Sequence, residues 1–347
     1  MTQLRVPTSS KMNAVLLSEY GGSENLSWGE TDLPLGPKDG HIMIQVIAAG
    51  VNRPDIIQRK GDYPPPTGES EILGLEVSGY VVKCGNNSSK FKIGDRVFAL
   101  LPGGGYAQYA TVDERLAMAI PQNMEFKTAT AIPENWLTGF QLLHLEAKGF
   151  LDYLKGKQDT SALVHAGASG VGTALIQLTR DLGMKCYVTA GSAEKIDYCL
   201  ALGATSGTNY KMHPKWDEEL AHHEPKGVDI ILDSVGASYF GQNMKSLKTD
   251  GYYVLYGTLG GSKLDGENLG WILRKRLNVF GSTLKSRSMG YKSSLVNKFE
   301  HEVVPKFESG QFKVSIYEEF SAVDVKKAHD MMESNKNMGK IVLAITE

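Results

Sequence analysis

Residues 164–178, VHAGASGVGTALIQL, constrain this chain more than any other stretch. Gly167, Gly170 and Gly172 stand between a short apolar run, SALVHA, and a segment with helical periodicity, VGTALIQLTRDLG. A strand that turns sharply on glycine into a helix leaves unpaired N–H groups and a partial positive charge at the turn. Where glycine also lets a ligand approach the backbone, that is the arrangement that receives a pyrophosphate. The spacing is G-x-x-G-x-G, not the standard G-x-G-x-x-G, and a glycine turn also simply packs a helix onto a sheet. The segments after the turn narrow the choice. CYVTA, AEKIDYCLALG, VDIILDSV, a helix around Tyr239–Leu247 and YYVLYG alternate strand and helix, the pattern of a doubly wound parallel sheet.

The preceding segment has a different grammar. From Met12 to about Ile120 the apolar runs are short and punctuated by Gly and Pro, which predicts a mostly antiparallel β domain. Helical spacing begins near Ala129 and covers Glu134–Leu145. After about Lys285 the pattern predicts a long helix over Lys292–Phe307, then strand, helix and a last strand, GKIVLAI. The expected organisation is 1–134, 135–286 as the nucleotide-binding domain, and 287–347 returning to the first, a return that the sequence pattern alone does not establish. The leader MTQLRVPTSSK reads as an unstructured tail without the features of a targeting peptide.

Composition limits the function classes. Lys and Arg total 37 against 39 Asp and Glu, a net charge of −2 with no electrostatic footprint for nucleic acid or an anionic membrane. Arg274-Lys275-Arg276 is a short basic cluster that reads as a helix end. No apolar run approaches the ~18 residues of a membrane span. Cys84, Cys186 and Cys199 are too few for a disulfide framework or a cysteine-rich zinc module and suit a reducing, cytoplasmic setting. His222-His223-Glu224 reads as a solvated loop beside Pro225.

The second nucleotide-binding strand discriminates between cofactors. A dinucleotide carrying a free ribose 2′-hydroxyl usually meets an Asp or Glu about 20 residues past the glycines. Here Thr189-Ala190-Gly191-Ser192 offers no carboxylate, while Ser192 and Lys195 supply a hydroxyl and a cation suited to a 2′-phosphate. NADPH is therefore expected over NADH. Tyr210 comes next, in a position to flank adenine or ribose, or to be an ordinary half-buried tyrosine. Ser234, Gly257 and Thr258 end further strands, where ligands of open α/β sheets sit.

Several motifs in fixed order, GVNRPD (50–55), GDYPPP (61–66), GLEVSG (74–79), KIGDRV (92–97), GGGYAQY (103–109), HAGASGVG (165–172) and GKIVL (339–343), resemble the medium-chain dehydrogenase/reductase superfamily. Within it they are similar to the zinc-free, zeta-crystallin-like NADPH:quinone oxidoreductase branch. The resemblance implies a GroES-like β domain joined to a Rossmann domain. It also implies NADPH-dependent reduction of quinones without a metal, leaving open semiquinone and reactive-oxygen formation. Asn52 and Leu75 stand where zinc-dependent relatives place metal ligands, and both are unsuited to zinc. The resemblance assigns Tyr63 and Asn52 to the active site as donors to the acceptor oxygens, and Ser169 to the same cleft. Gly170 and Val171 join the phosphate turn, and Thr138, at the start of a helical turn, is expected near the nicotinamide carboxamide. Thr283 and Leu284 are expected in a loop over the nicotinamide. Asp55 and Glu76 read as structural. A homodimer is expected through an apolar sheet edge formed by GYYVLYG and NVFGSTL. The competing activities are reduction of alkenals or enones from the same pocket, and a non-catalytic, crystallin-like NADPH-binding protein.

Overall fold

A computed structural model describes residues 4–345. They form two compact units, Met1–Leu137 with Lys285–Glu347, and Thr138–Leu284. The first unit begins with a two-stranded antiparallel ribbon, β1 (Lys11–Leu17) and β2 (Leu26–Asp32). It continues with β3 (His41–Val51), β4 (Glu76–Cys84), β5 (Arg96–Leu100), β6 (Tyr109–Asp113) and β7 (Ala117–Ala119). The second unit contributes β8 (Ser161–Val164), β9 (Lys185–Ala190), β10 (Ser206–Asn209), β11 (Val228–Asp233), β12 (Leu247–Leu255) and β13 (Asn278–Gly281). The chain then returns to the first unit as β14 (Ile316–Ser321) and β15 (Lys340–Ala344).

The six strands of the second unit are parallel, in the order β10-β9-β8-β11-β12-β13. That order reverses between β8 and β11, the topological switch point of a Rossmann sheet. Both faces of the central strands are covered, and β8 and β11 expose no residue. Trp216, Leu220, Phe240 and Met244 pack from the helices against Leu163, Ile231 and Tyr253 of the strands.

In the first unit β15 lies between β14 and β3, and β4, β5 and β7 extend the sheet beyond β3. Strand β3 is antiparallel to β15, β4 and β6, with Val51 opposite Ile341, Ala49 opposite Val77 and His41 opposite Asp113. The end of β3 therefore meets the beginnings of β15 and β4, and Asn52, Lys340 and Glu76 gather at one rim of the sheet.

Several local expectations are corrected. The helix expected over Glu134–Leu145 runs Pro133–Gln141, and Leu142–Glu146 continues as a π turn closed by Ala147 N–H on the Leu142 carbonyl at 3.1 Å. Thr138 consequently lies mid-helix and does not begin a turn. The long helix over Lys292–Phe307 is two helices, Met289–Glu302 and Val304–Glu308, because Pro305 has no N–H to continue the first ladder. His222 and His223 form the last turn of the helix Trp216–His223, not a loop; Glu224 accepts from the Tyr187 hydroxyl at 3.0 Å. Strand β12, which includes residues 251–255 of GYYVLYG, is covered by β13, so at this end of the sheet the edge is β13. Of the leader, Met1–Gln3 lie outside the described residues, while Arg5 is held by its N–H to Gln45 Oε1 at 2.7 Å and its carbonyl to the Tyr109 hydroxyl at 3.0 Å. Among the described residues no helix is long and apolar enough to cross a membrane.

Candidate active site

In the second unit β8 leads to Ala166, whose φ of 51° is left-handed, and the chain turns into the helix Gly170–Asp181. A Cβ on Gly172 would lie 2.4 Å from the Ala166 carbonyl, and one on Gly167 would lie 2.7 Å from Val188 Cβ. Both positions require glycine for the turn itself. Ser169 is the N-cap, its hydroxyl accepting from Gly172 N–H at 3.0 Å. Gly170 and Val171 form the first, partly exposed turn of this helix.

The rim is held from below by a polar chain that the sequence reading missed. Asp233 accepts from Val235 N–H at 2.6 Å, Gly236 N–H at 3.1 Å, Asn243 Nδ2 at 3.0 Å and the Tyr253 hydroxyl at 2.7 Å. Asn243 thus turns its Oδ1 to His165 Nε2 at 2.7 Å, which fixes that nitrogen as the donor. His165 Nδ1 in turn accepts from Thr189 Oγ1 at 2.9 Å. Burial lowers the His165 pKa, so the imidazole stays neutral. This network ties the ends of β8, β9 and β11 together.

Beyond β9, Ser192 caps the helix Ala193–Ala201 through Lys195 N–H at 3.3 Å. Tyr210, after β10, carries its hydroxyl over Gly191, where a Cβ would approach it to 2.8 Å. Lys195 is half-buried; its pKa is lowered first by desolvation and next by the positive charge of Lys211. Ser192, Lys195, Tyr210 and Lys211 therefore form one cationic corner. At the ends of β11, β12 and β13 the hydroxyls of Ser234, Tyr256 and Ser282 are buried, with Tyr256 and Ser234 beside each other. Gly257 approaches Ser234, whose carbonyl would lie 2.9 Å from a Gly257 Cβ, and Thr258 is next in the same loop. Thr283 is exposed and Leu284 buried, while Thr138 is partly buried at the other end of this unit's chain.

The first unit holds a second polar assembly. Glu76, fully buried, accepts at Oε1 from Asn52 Nδ2 at 2.8 Å and from the ammonium of Lys340, and at Oε2 from Glu134 N–H at 2.8 Å. Lys340 Nζ also reaches Asn52 Oδ1 at 2.5 Å. Gly50 makes room for this pair: a Cβ there would lie 2.2 Å from Glu76 Oε1 and 2.7 Å from Lys340 Cε. The expected donation from the Asn52 amide to an acceptor oxygen is not what this arrangement offers. Both ends of the amide are committed inside the chain, and Asn52 is also the N-cap of the helix Arg53–Arg59. Asp55 closes that capping box, accepting from Asn52 N–H at 2.8 Å, the Tyr106 hydroxyl at 2.9 Å and Gly74 N–H at 3.2 Å. Burial pushes its carboxyl up to about 6.

Tyr63, on the GDYPPP loop, lies beneath Lys285, whose Nζ is 4.1 Å from the ring centroid and 3.3 Å from both the Tyr63 carbonyl and Gln58 Oε1. Lys292 Nζ donates to the Lys285 carbonyl at 2.7 Å. Burial, and secondarily the charge of Glu134, push the Tyr63 phenol up to about 12, so it remains a hydrogen-bond donor. Glu134, Lys285, Lys292 and Lys340 escaped the sequence reading. The available signal was a lone Lys opening the apolar run KIVLA, a charge that burial obliges to pair.

Two family models match the chain: "Alcohol dehydrogenase GroES-like domain" over residues 38–122 and "Zinc-binding dehydrogenase" over residues 170–299. The donor set does not fit zinc. At the rim stand an amide, Leu75 and an ammonium seated on the Glu76 carboxylate, and no group of three or more His, Cys, Asp or Glu suited to a metal occurs among the described residues. "Quinone oxidoreductase 1" of Escherichia coli is 30% identical over 94% of this chain and 97% of its own length. The human "Quinone oxidoreductase" is 28% identical over 96% and 98%. The structure of the Escherichia coli quinone oxidoreductase complexed with NADPH superposes with a TM-score of 0.83 at 28% identity, covering 96% of this chain and 99% of that one. The chain belongs to the quinone oxidoreductase family of medium-chain dehydrogenases and reductases.

Proposed function

We propose that this protein reduces quinones with NADPH and without a metal. The observation that carries the reading is the cationic corner: Lys195 and Lys211 sit close enough to repel each other, beside Ser192 and Tyr210, at the end of a strand that lacks the usual carboxylate. Two ammonium groups held together favour a dianion, and the ribose 2′-phosphate is the dianion that distinguishes NADPH. The rest of the rim fits the cofactor too. Gly167 to Gly172 leave the backbone open at a helix N-terminus, and the Ser234, Tyr256 and Ser282 hydroxyls add buried polar groups at the same strand ends. When bound, the nicotinamide supplies a hydride. The chain's own part is to orient it, exclude water, and hold a proton for the acceptor; Tyr63, a donor that keeps its proton, is the residue suited to an oxygen gaining negative charge. Reduction of an alkenal has a specific observation behind it as well, because it needs a proton at carbon and the first unit carries protonated groups beside Tyr63.

The test is the rate of NADPH oxidation with 1,2-naphthoquinone, 1,4-benzoquinone and an alkenal, repeated with NADH, in the wild-type chain and in Lys195→Ala. Quinone turnover with NADPH is expected, with KM for NADPH rising roughly 10–100-fold in the variant, the worth of a charge-assisted contact. NADH turnover should change little. An equal effect on both cofactors, or a wild-type preference for NADH, rejects the 2′-phosphate assignment. Tight NADPH binding with no turnover of any acceptor rejects the enzyme.

A further inference from the structure

Tyr63 stands on a loop that the fold holds at its two ends. The helix Arg53–Arg59 runs directly into it: Gly61 N–H donates to the Gln58 carbonyl at 2.9 Å and Asp62 N–H to the Ile57 carbonyl at 3.1 Å. At the far end Gly104 N–H donates to the Ile72 carbonyl at 2.7 Å and Tyr106 N–H to the Leu73 carbonyl at 2.9 Å. Between these ends come Pro64, Pro65 and Pro66, whose rings fix φ and which bring no N–H to tie the loop to a neighbour. A proline also keeps the residue before it, here Tyr63, in extended backbone. The loop is therefore stiff within itself, and the place of Tyr63 depends on what grips it from outside.

Lys285 supplies that grip. It is the first residue of the segment by which the chain re-enters the first unit, so its contacts with the loop lie inside that unit. Its Nζ donates to the Tyr63 carbonyl at 3.3 Å and stands 4.1 Å from the centroid of the Tyr63 ring. One ammonium thus holds both the backbone and the ring face of a single residue. It also donates to Gln58 Oε1 at 3.3 Å, and the other end of that buried amide, Nε2, donates to the Glu71 carbonyl at 3.3 Å. Through Gln58, Lys285 is joined to both arms of the loop. Lys285 is itself set by its own carbonyl, which accepts from the buried Lys292 at 2.7 Å. These contacts use the carbonyl and the ring face of Tyr63, not its hydroxyl, so the O–H is placed without being consumed.

We propose that Lys285 is a positioning residue of the acceptor site, fixing Tyr63 by its carbonyl and ring so that the phenol meets the acceptor oxygen, with Gln58 as the brace. This rests on the reductase reading. Lys285 takes no part in the transfer of hydride or proton and acts through Tyr63. A donor displaced by about 1 Å can lose on the order of 100-fold in rate. The prolines and the helix end restrain the loop as well, so losing Lys285 alone should cost about tenfold.

The test is steady-state kinetics with 1,2-naphthoquinone and an alkenal for Lys285→Met, Lys285→Arg, Tyr63→Phe and the double variant Lys285→Met/Tyr63→Phe. Methionine keeps the apolar stem and loses the charge and its donors, whereas arginine keeps a cation that stacks on a ring. Lys285→Met should lower kcat for the alkenal about tenfold, and for the quinone less, with KM for NADPH unchanged. Lys285→Arg should recover most of that loss. In the Tyr63→Phe background Lys285→Met should cost less than about twofold, because the hydroxyl it placed is gone. A merely structural role gives equal losses in both backgrounds. Wild-type kcat in Lys285→Met, an undiminished loss in the double variant, or an arginine variant no better than methionine overturns the proposal. Hydrogen exchange reads the grip without turnover: the Gly61 and Asp62 amides at the base of the loop should exchange at least about threefold faster in Lys285→Met. Unchanged exchange overturns the grip. Should the wild type turn over neither acceptor, the reductase reading fails, and the exchange comparison still decides whether Lys285 holds the loop.

Discussion

Replacing Lys340 by Met tests the polar rim of the first unit most directly. Lys340 and Glu76 are 2% and 0% exposed as side chains, so neither partner can relax into water when the other is removed. The variant leaves a buried carboxylate with only the Asn52 amide and Glu134 N–H as donors, and the Asn52 Oδ1 with none. Breaking a buried pair on one side costs about 3–5 kcal/mol. The orphaned Asn52 oxygen adds about 1 kcal/mol, against which the apolar Met side chain recovers part by staying packed. The net expectation is about 4 kcal/mol, a melting shift of roughly 8–16 °C for a unit of this size. The double variant Lys340→Met/Glu76→Gln should recover more than half of the loss, since no charge is left stranded. Thermal melts of the wild type and both variants read the effect. A loss under about 1 kcal/mol, or a double variant no better than the single, would refute the reasoning.

Two further outcomes are expected. Tyr63→Phe removes the hydroxyl and keeps the ring under Lys285, so alkenal turnover should fall about 100-fold while ortho-quinone turnover falls about tenfold or less; equal losses in steady-state kinetics reject Tyr63 as the donor that distinguishes the two acceptors. Strand β13 ends the parallel sheet and leaves Val279 45% exposed, an edge open to pairing with a second copy. Sedimentation at micromolar concentration should give a dimer that Val279→Lys weakens at least tenfold, and a wild-type monomer of 37.9 kDa rejects it.

The glycine turn could be read from the sequence because its parts are consecutive: an apolar strand, three glycines and an amphipathic helix specify the conformation within about 20 residues. The strand–helix alternation beyond it then implies the parallel sheet, since parallel strands require crossovers. That Ser192, Lys195 and Tyr210 lie near one another could be read by counting outward from the turn, because two short βα units set the distance. The Asp233–Asn243–His165–Thr189 chain could not. Its members lie on four elements, and each alone looks like an ordinary polar residue near a strand end. The break before Pro305 was visible as a proline, yet the helical spacing on either side hid it. Asn52 shows a subtler failure. Its position in GVNRPD was plain, but whether its amide faces an acceptor or the interior depends on Glu76 and Lys340, which stand 24 and 288 residues away.

That separation also bears on how the first unit couples folding to chemistry. The rim exists because β3 is antiparallel to β4 and β15, one from the middle of the first segment and one from the end of the chain. Strand β15 is an interior strand, so its arrival closes the sheet and delivers the Lys340 ammonium in the same step. Until then Glu76 has no cation, and the Asn52 amide and the N–H of Glu134 have no settled acceptor. The closure neutralises Glu76, and because Oε2 of the same carboxylate holds the Glu134 N–H at 2.8 Å, it also fixes the start of the helix Pro133–Gln141. Trp136, in the first turn of that helix, is thereby set against Phe307. A Glu76 charge left alone in so buried a place would be costly, so the return of β15 stabilises the rim by pairing that charge and not by adding apolar surface alone.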